Sequence, residues 1–204
     1  MSWSIIIPVK RLDEAKSRLQ PALTDVAELA FAFAFDTVKA ALGCGLVGDV
    51  LVVTSDSRVA DSVRALGAVV IDDPGGGLNA AVAAGLAATT GPVAVLTGDL
   101  PAVRASDLHD ALRLAADVPL AMVADRSGSG TTLLASAAGS MHPRFGVSSR
   151  ELHEHAGHVV LDVPETSPLR QDVDTTEDLD AAILFGVGRA TAAVLARRSR
   201  PASA

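Results

Sequence analysis

Short apolar, β-branched runs alternate with helix-length patterns through the first hundred residues of this chain, and no other feature narrows its fold so far. Trp3 to Val9, Asp49 to Thr54, Ala68 to Asp72 and Val93 to Leu96 read as strands. Between them, Leu23 to Leu42, Ser57 to Leu66 and Leu78 to Thr89 have helical spacing. Near-continuous apolar strands such as Ile5-Ile6-Ile7 and Val93-Ala94-Val95-Leu96 suit a sheet covered on both faces. Repeated strand-helix-strand units therefore predict an α/β protein with a mostly parallel sheet and helices on either side. A hydrophobic content of 49% with only 3% aromatics agrees, because Ala, Val and Leu fill such aliphatic cores.

The second half departs from strict alternation. Ser106 to Ala116 reads as a helix, while Pro119 to Ala124 and Thr131 to Ala135 are strands joined by Arg126-Ser127-Gly128-Ser129-Gly130, a loop suited to an antiparallel hairpin. Ser148 to His155 is a short helix, His158 to Val163 a late strand, and Thr175 to Phe185 and Val187 to Ala196 are terminal helices. A length of 204 residues suits one domain, drawn here as 1–196, followed by a basic tail, 197–204, expected to be disordered and without function.

Charge and cysteine content remove several functional classes. A formal net charge of −7, from 24 acids against 17 bases, argues against a surface built to neutralise nucleic-acid phosphates. Cys44 is the single cysteine, so an internal disulfide, a cysteine zinc site and a redox dithiol are all excluded, and a reducing cytoplasm is the expected location. The run Ile5-Ile6-Ile7 is stopped by Pro8 and Lys10, and Leu29 to Phe35 is closed by Asp36 and Lys39. Neither reaches signal-peptide length or the ~20 residues that span a bilayer, so no membrane partner is expected. His153, His155 and His158 lack the H-E-x-x-H spacing of a zinc site and are read as a short polar helix end.

Chemistry concentrates where strands leave the sheet. Asp99, in Leu96-Thr97-Gly98-Asp99-Leu100-Pro101, follows a buried strand, and ligands of open α/β sheets collect outside the carboxyl ends of strands. Taken alone, it reads equally as a turn residue or a cap for the next helix. Asp172 and Asp174 lie far downstream, the latter readable as part of an acidic helix start. Together the three aspartates suit a hard divalent cation held against a phosphorylated substrate. Lys10, Lys16 and Arg18 follow the first strand and would offset triphosphate charge, unless they only decorate a solvated face. No G-x-x-x-x-G-K-[ST] run is present, and Gly75-Gly76-Gly77-Leu78-Asn79-Ala80 lacks the third glycine of a dinucleotide fingerprint.

Several segments in order carry a family resemblance: Ile7-Pro8-Val9-Lys10 with Ala15-Lys16-Ser17-Arg18-Leu19, Gly77-Leu78-Asn79, Gly98-Asp99-Leu100-Pro101 and Asp172-Val173-Asp174-Thr175. They resemble the nucleotidyltransferases with a single Rossmann-like domain. Within that group, Ala124-Asp125-Arg126 with Gly128-x-Gly130-Thr131, then His142-Pro143-Arg144-Phe145-Gly146, is similar to the guanylyltransferases that activate phosphoenolpyruvate or 2-phospho-L-lactate in coenzyme F(420) biosynthesis. Ser17, where the family pattern has Thr, and Val147, where it has Pro, are departures.

The resemblance implies a three-layer Rossmann-like domain and the condensation of GTP with an enolpyruvyl phosphate, releasing pyrophosphate. It places metal binding on Asp99, Asp172 and Asp174, with two Mg²⁺ or Mn²⁺ ions per active site. Acceptor-phosphate contacts fall on Thr131, the backbone of Gly146 and Ser149. Lys10, Lys16 and Arg18 fall on the GTP-phosphate loop, the last two with Asp99 in the catalytic set, and Gly77 and Asn79 fall near the nucleoside. Arg126 and Arg144 are further acceptor candidates, as guanidinium forks bind carboxylate or phosphate in pairs of bonds; a structural loop role suits them equally. Phosphoenolpyruvate is the expected acceptor, with 2-phospho-L-lactate the alternative. Another GTP- or CTP-dependent nucleotidyltransferase and a non-catalytic nucleotide-binding scaffold both remain open, as does direct transfer of the product to the next pathway enzyme.

Overall fold

The computed structural model describes residues 2–13 and 25–198. Seven strands form one sheet in the order β3-β2-β1-β4-β6-β5-β7, where β1 is Trp3–Pro8, β2 Val47–Thr54, β3 Val69–Asp72, β4 Val93–Leu96, β5 Leu120–Ala124, β6 Thr131–Ser136 and β7 Val159–Val160. All neighbouring pairs are parallel except those made by β6, which runs antiparallel to both β4 and β5. The α/β class, the mostly parallel sheet and the small antiparallel element are as the sequence predicts. The late strand is shorter than expected: only Val159 and Val160 pair with β5, although Leu161 N–H still donates to the Met122 carbonyl at 2.8 Å.

The sheet is covered on both faces because its central strands alternate apolar side chains outward in both directions. Ile5 and Ile7 of β1 face a core shared with helices α1 (Val26–Leu42), α2 (Ser57–Ala65) and α4 (Ala105–Ala115). Ile6 faces the opposite core, filled by α3 (Leu78–Ala87) and by Met141 and Phe145. All three isoleucines are fully buried, each stabilising the fold by roughly 1.5–3 kcal/mol. Cys44 is buried in the first of these cores, as a small hydrophobe. Phe31 and Phe35, one helical turn apart on α1, stack with ring centroids 5.9 Å apart.

A third cluster packs α1 against the C-terminal helices α6 (Thr176–Phe185) and α7 (Arg189–Arg198). Asp36, on α1 and nearly buried, accepts the N–H groups of Ala190 at 3.1 Å and Thr191 at 2.8 Å, so one helix caps another across more than 150 residues of chain. Gly188 has to be glycine there, since a Cβ would collide with the Asp36 carboxylate. α7 extends to Arg198, past the expected end at Ala196; the rest of the basic tail lies outside the described residues. Among the described residues, no helix is long and apolar enough to cross a membrane.

Candidate active site

The carboxyl ends of the parallel strands and the amino end of β6 meet at one edge of the sheet, because β6 runs the opposite way. Thr97 N–H donates to the Thr132 carbonyl at 3.0 Å, which sets the segment leading to Asp99 beside the start of β6. Gly98 allows β1 to join them: a Cβ there would stand 3.1 Å from the Pro8 carbonyl oxygen and 3.2 Å from Val9 Cγ2. Lys10 follows directly and is exposed, while Leu12 N–H is held by the Asp56 carboxylate at 3.2 Å. Lys16 and Arg18, with Ser17, lie outside the described residues.

Asp99 is braced from three sides. Val173 N–H donates to its carbonyl oxygen at 3.1 Å, Leu100 N–H donates to Thr37 Oγ at 3.2 Å, and Gly188 N–H donates to the Pro101 carbonyl at 2.7 Å. The first of these bonds brings Asp172-Val173-Asp174 to Asp99. Capping does not explain the acids: Asp107 takes the N–H ahead of α4, and Thr175 with Asp178 forms the capping box of α6. Asp99, Asp172 and Asp174 are all half-buried, and each has polar or electrostatic partners. Among the described residues, no three His, Cys, Asp or Glu side chains form a ready-made metal cluster. Two carboxylate segments meeting at a strand edge nonetheless fit Mg²⁺, which takes one or two protein carboxylates and completes its shell with phosphate oxygens and water.

The other side of the edge is a hydroxyl cluster. Thr131 and Ser149 are buried, and Ser149 Oγ donates to Thr131 Oγ at 3.3 Å. α5 (Ser149–His155) starts from Gly146-Val147-Ser148, whose turn closes through Ser149 N–H donating to the Gly146 carbonyl at 3.1 Å. Ser148 has φ 55°, the only positive φ at a non-glycine among the described residues, a strain of ~1 kcal/mol borne beside this cluster. Val147, the departure from the family pattern, is 93% exposed.

His153 completes the cluster and is the residue that sequence reasoning misses. Read as part of a polar helix end, it is instead fully buried, its ring 5.1 Å from Phe145 in an edge-on contact and 5.5 Å from His158. The reason is helical geometry: Ser149 and His153, four residues apart, share the face of α5 turned into the protein, whereas His155 is exposed. Arg144 N–H donates to His153 Nε2 at 2.9 Å, and Nδ1 stands 3.0 Å from Thr131 Oγ. Burial, then the nearby His158 and Arg144, push its pKa down to about 4. His158 is lowered too, by burial, against a hydrogen bond from its Nδ1 to the His153 carbonyl.

Of the remaining candidates, Gly77 ends the glycine run as the N-cap of α3, with φ 94°. Asn79 joins that helix to the loop before α5: its Nδ2 donates to the Phe145 carbonyl at 3.0 Å and its Oδ1 accepts the Phe145 N–H at 2.8 Å. Arg126 is exposed and donates to Gln171 Oε1 at 2.8 Å; Gln171, itself buried, donates to the carbonyl of Asp172 at 3.1 Å. A direct chain of bonds thus links Arg126 to the backbone of the Asp172–Asp174 segment. Arg144 is exposed, and its backbone serves His153.

This architecture is that of the single-domain nucleotidyltransferases. A nucleotidyl transferase from Methanothermobacter superposes with a TM-score of 0.61 at 22% identity, covering 90% of this chain and 97% of its own. A 4-diphosphocytidyl-2C-methyl-D-erythritol synthase superposes with a TM-score of 0.62 at 14% identity, covering 90% and 98%. At sequence level, residues 3–199 match the family described as guanylyl transferase CofC like, and the chain belongs to that family. A phosphoenolpyruvate guanylyltransferase of Streptomyces coelicolor is 48% identical, over 97% of both chains. One of Salinispora arenicola is 46% identical, over 93% of this chain and 92% of its own.

Proposed function

We propose that this chain joins GTP to phosphoenolpyruvate, releasing pyrophosphate and leaving enolpyruvoyl-2-diphospho-5'-guanosine, as a step of coenzyme F(420) biosynthesis. The observation that carries this reading is the placement of Asp99 and the Thr131–Ser149 hydroxyls on one sheet edge, in a chain 48% identical to a relative of that name. A phosphate oxygen of the acceptor attacks the α-phosphorus of GTP, and the bond from that phosphorus to the β-phosphate bridging oxygen breaks. The attacking oxygen is already an anion, so no general base is needed; the protein's tasks are alignment and charge neutralisation.

Thr131 and the Gly146 backbone supply donors suited to the acceptor's anionic groups, with Ser149 donating to Thr131 from behind and Arg126 and Arg144 at the exposed rim. Lys10, Lys16 and Arg18 are assigned to the triphosphate, and the Gly77–Asn79 segment to the nucleoside end. Asp99, Asp172 and Asp174 would hold the divalent cations. Mg²⁺ or Mn²⁺ bound there would draw charge from the α-phosphate oxygens and the departing pyrophosphate.

Pyrophosphate release measured with each combination of GTP or CTP and phosphoenolpyruvate or 2-phospho-L-lactate tests the reading. Turnover is expected to be fastest with GTP and phosphoenolpyruvate. Tight GTP binding with no pyrophosphate from either acceptor would reject it in favour of a scaffold.

A further inference from the structure

We infer that His153 is a positioning residue whose neutral Nδ1–H form turns Thr131 into an obligate hydrogen-bond donor toward the acceptor's anion. This rests on the acceptor site proposed above.

The tautomer follows from the backbone. Arg144 N–H can only donate, and it points at His153 Nε2 over 2.9 Å, so that nitrogen carries a lone pair. A neutral imidazole then has its proton on Nδ1, and Nδ1 can only donate to Thr131 Oγ, 3.0 Å away. Ser149 Oγ donates to the same oxygen at 3.3 Å. Thr131 Oγ thus receives two hydrogen bonds, which fills both of its lone pairs. What remains is its own proton, which neither His153 Nδ1 nor Ser149 Oγ takes up when both donate to this oxygen.

The consequence is electrostatic. With the opposite tautomer, Thr131 would spend its proton on Nδ1 and turn a lone pair toward an incoming anion, which would repel it. With the tautomer fixed by Arg144, the hydroxyl faces the acceptor as a preorganised donor on a nearly dry site, where such a bond is strongest. Full burial keeps His153 neutral, so the arrangement holds through the physiological range. The side chains of Phe145 and His158 pack edge-on and tilted against the ring, and the Asn79 bonds to Phe145 lock the loop that supplies the Arg144 N–H.

Two substitutions separate the halves of this relay. In His153→Gln the amide oxygen can replace Nε2 as the acceptor for Arg144, but the donor to Thr131 is lost. In His153→Asn the amide nitrogen can replace Nδ1. The KM for phosphoenolpyruvate is expected to rise about tenfold or more in His153→Gln, with the KM for GTP unchanged and partial recovery in His153→Asn. In a Thr131→Val background, His153→Gln should add nothing further. Long-range ¹H–¹⁵N spectra of the wild-type protein should show His153 protonated on Nδ1, a readout that needs neither a folded variant nor activity. An Nε2–H signal, an additive effect in the double variant, or an equal rise in both KM values would overturn the inference. A wild type that releases no pyrophosphate with phosphoenolpyruvate would overturn the acceptor reading and this inference with it. Normal turnover with an unmoved KM in His153→Gln would overturn this inference alone.

Discussion

Val173 N–H donates to the Asp99 carbonyl oxygen at 3.1 Å, and this one bond draws the Asp172–Asp174 segment from far along the chain onto the end of β4. It makes a shared role for the three aspartates physically reasonable, because the pairing is fixed in the backbone before any ligand binds.

If Asp99 holds a cation, Asp99→Asn should lower pyrophosphate release on the order of a thousandfold, the several kcal/mol that metal stabilisation of phosphoryl oxygens supplies. The substitution keeps side-chain volume, so the melting temperature should move by only a few degrees. Near-normal turnover at saturating Mg²⁺ would remove Asp99 from the metal site.

Asn79→Ala should loosen the loop around Phe145, since it deletes both bonds to that residue. A stability loss of about 1–3 kcal/mol is expected, with a rise in KM for both phosphoenolpyruvate and GTP. A rise confined to GTP would show that Asn79 serves the nucleoside end alone, without shaping the loop around Phe145.

Asp36→Ala tests the clamp between α1 and α7. Losing a cap for Ala190 and Thr191 should cost roughly 1–2 kcal/mol in denaturant unfolding, and KM values below the melting range should not change. Unaltered unfolding would mean that α7 contributes little to the cooperative core.

Much of this was readable in the sequence, and what was not has physical causes. The β-branched runs and the helical spacing located the strands and helices, because both faces of the sheet are covered and the pattern is strong in Ile5-Ile6-Ile7 and Val93 to Leu96. The hairpin of β5 and β6 followed from its glycine-rich loop. The late strand is shorter than the sequence suggests, since Leu161 and Val163, on either side of Asp162, keep a strand-like alternation after sheet pairing has stopped. Asp99 was visible as an acid at a strand end, yet its bond to Val173 depends on tertiary packing. His153 escapes notice because three histidines close together look polar, whereas its i, i+4 relation to Ser149 turns it inward and His158, beyond the helix, is buried beside it.

Acid should destabilise the protein through His153. Its pKa falls from an ordinary 6.5 when unfolded to about 4 when folded, so between these values the unfolded chain binds a proton that the native protein refuses. Stability present above pH ~6.5 is therefore lost as pH falls toward ~4, by an amount on the order of a few kcal/mol. Urea unfolding at pH 7, 5.5 and 4 should show this decline, and it should be shallower in His153→Asn. An identical slope in both proteins would assign the acid sensitivity to other groups.

Mass spectrometry of the products from GTP, phosphoenolpyruvate and Mg²⁺ reads the proposed chemistry itself. The expected result is enolpyruvoyl-2-diphospho-5'-guanosine in amounts equal to the pyrophosphate released. Pyrophosphate without that adduct, or an adduct formed only with a different acceptor, would contradict it.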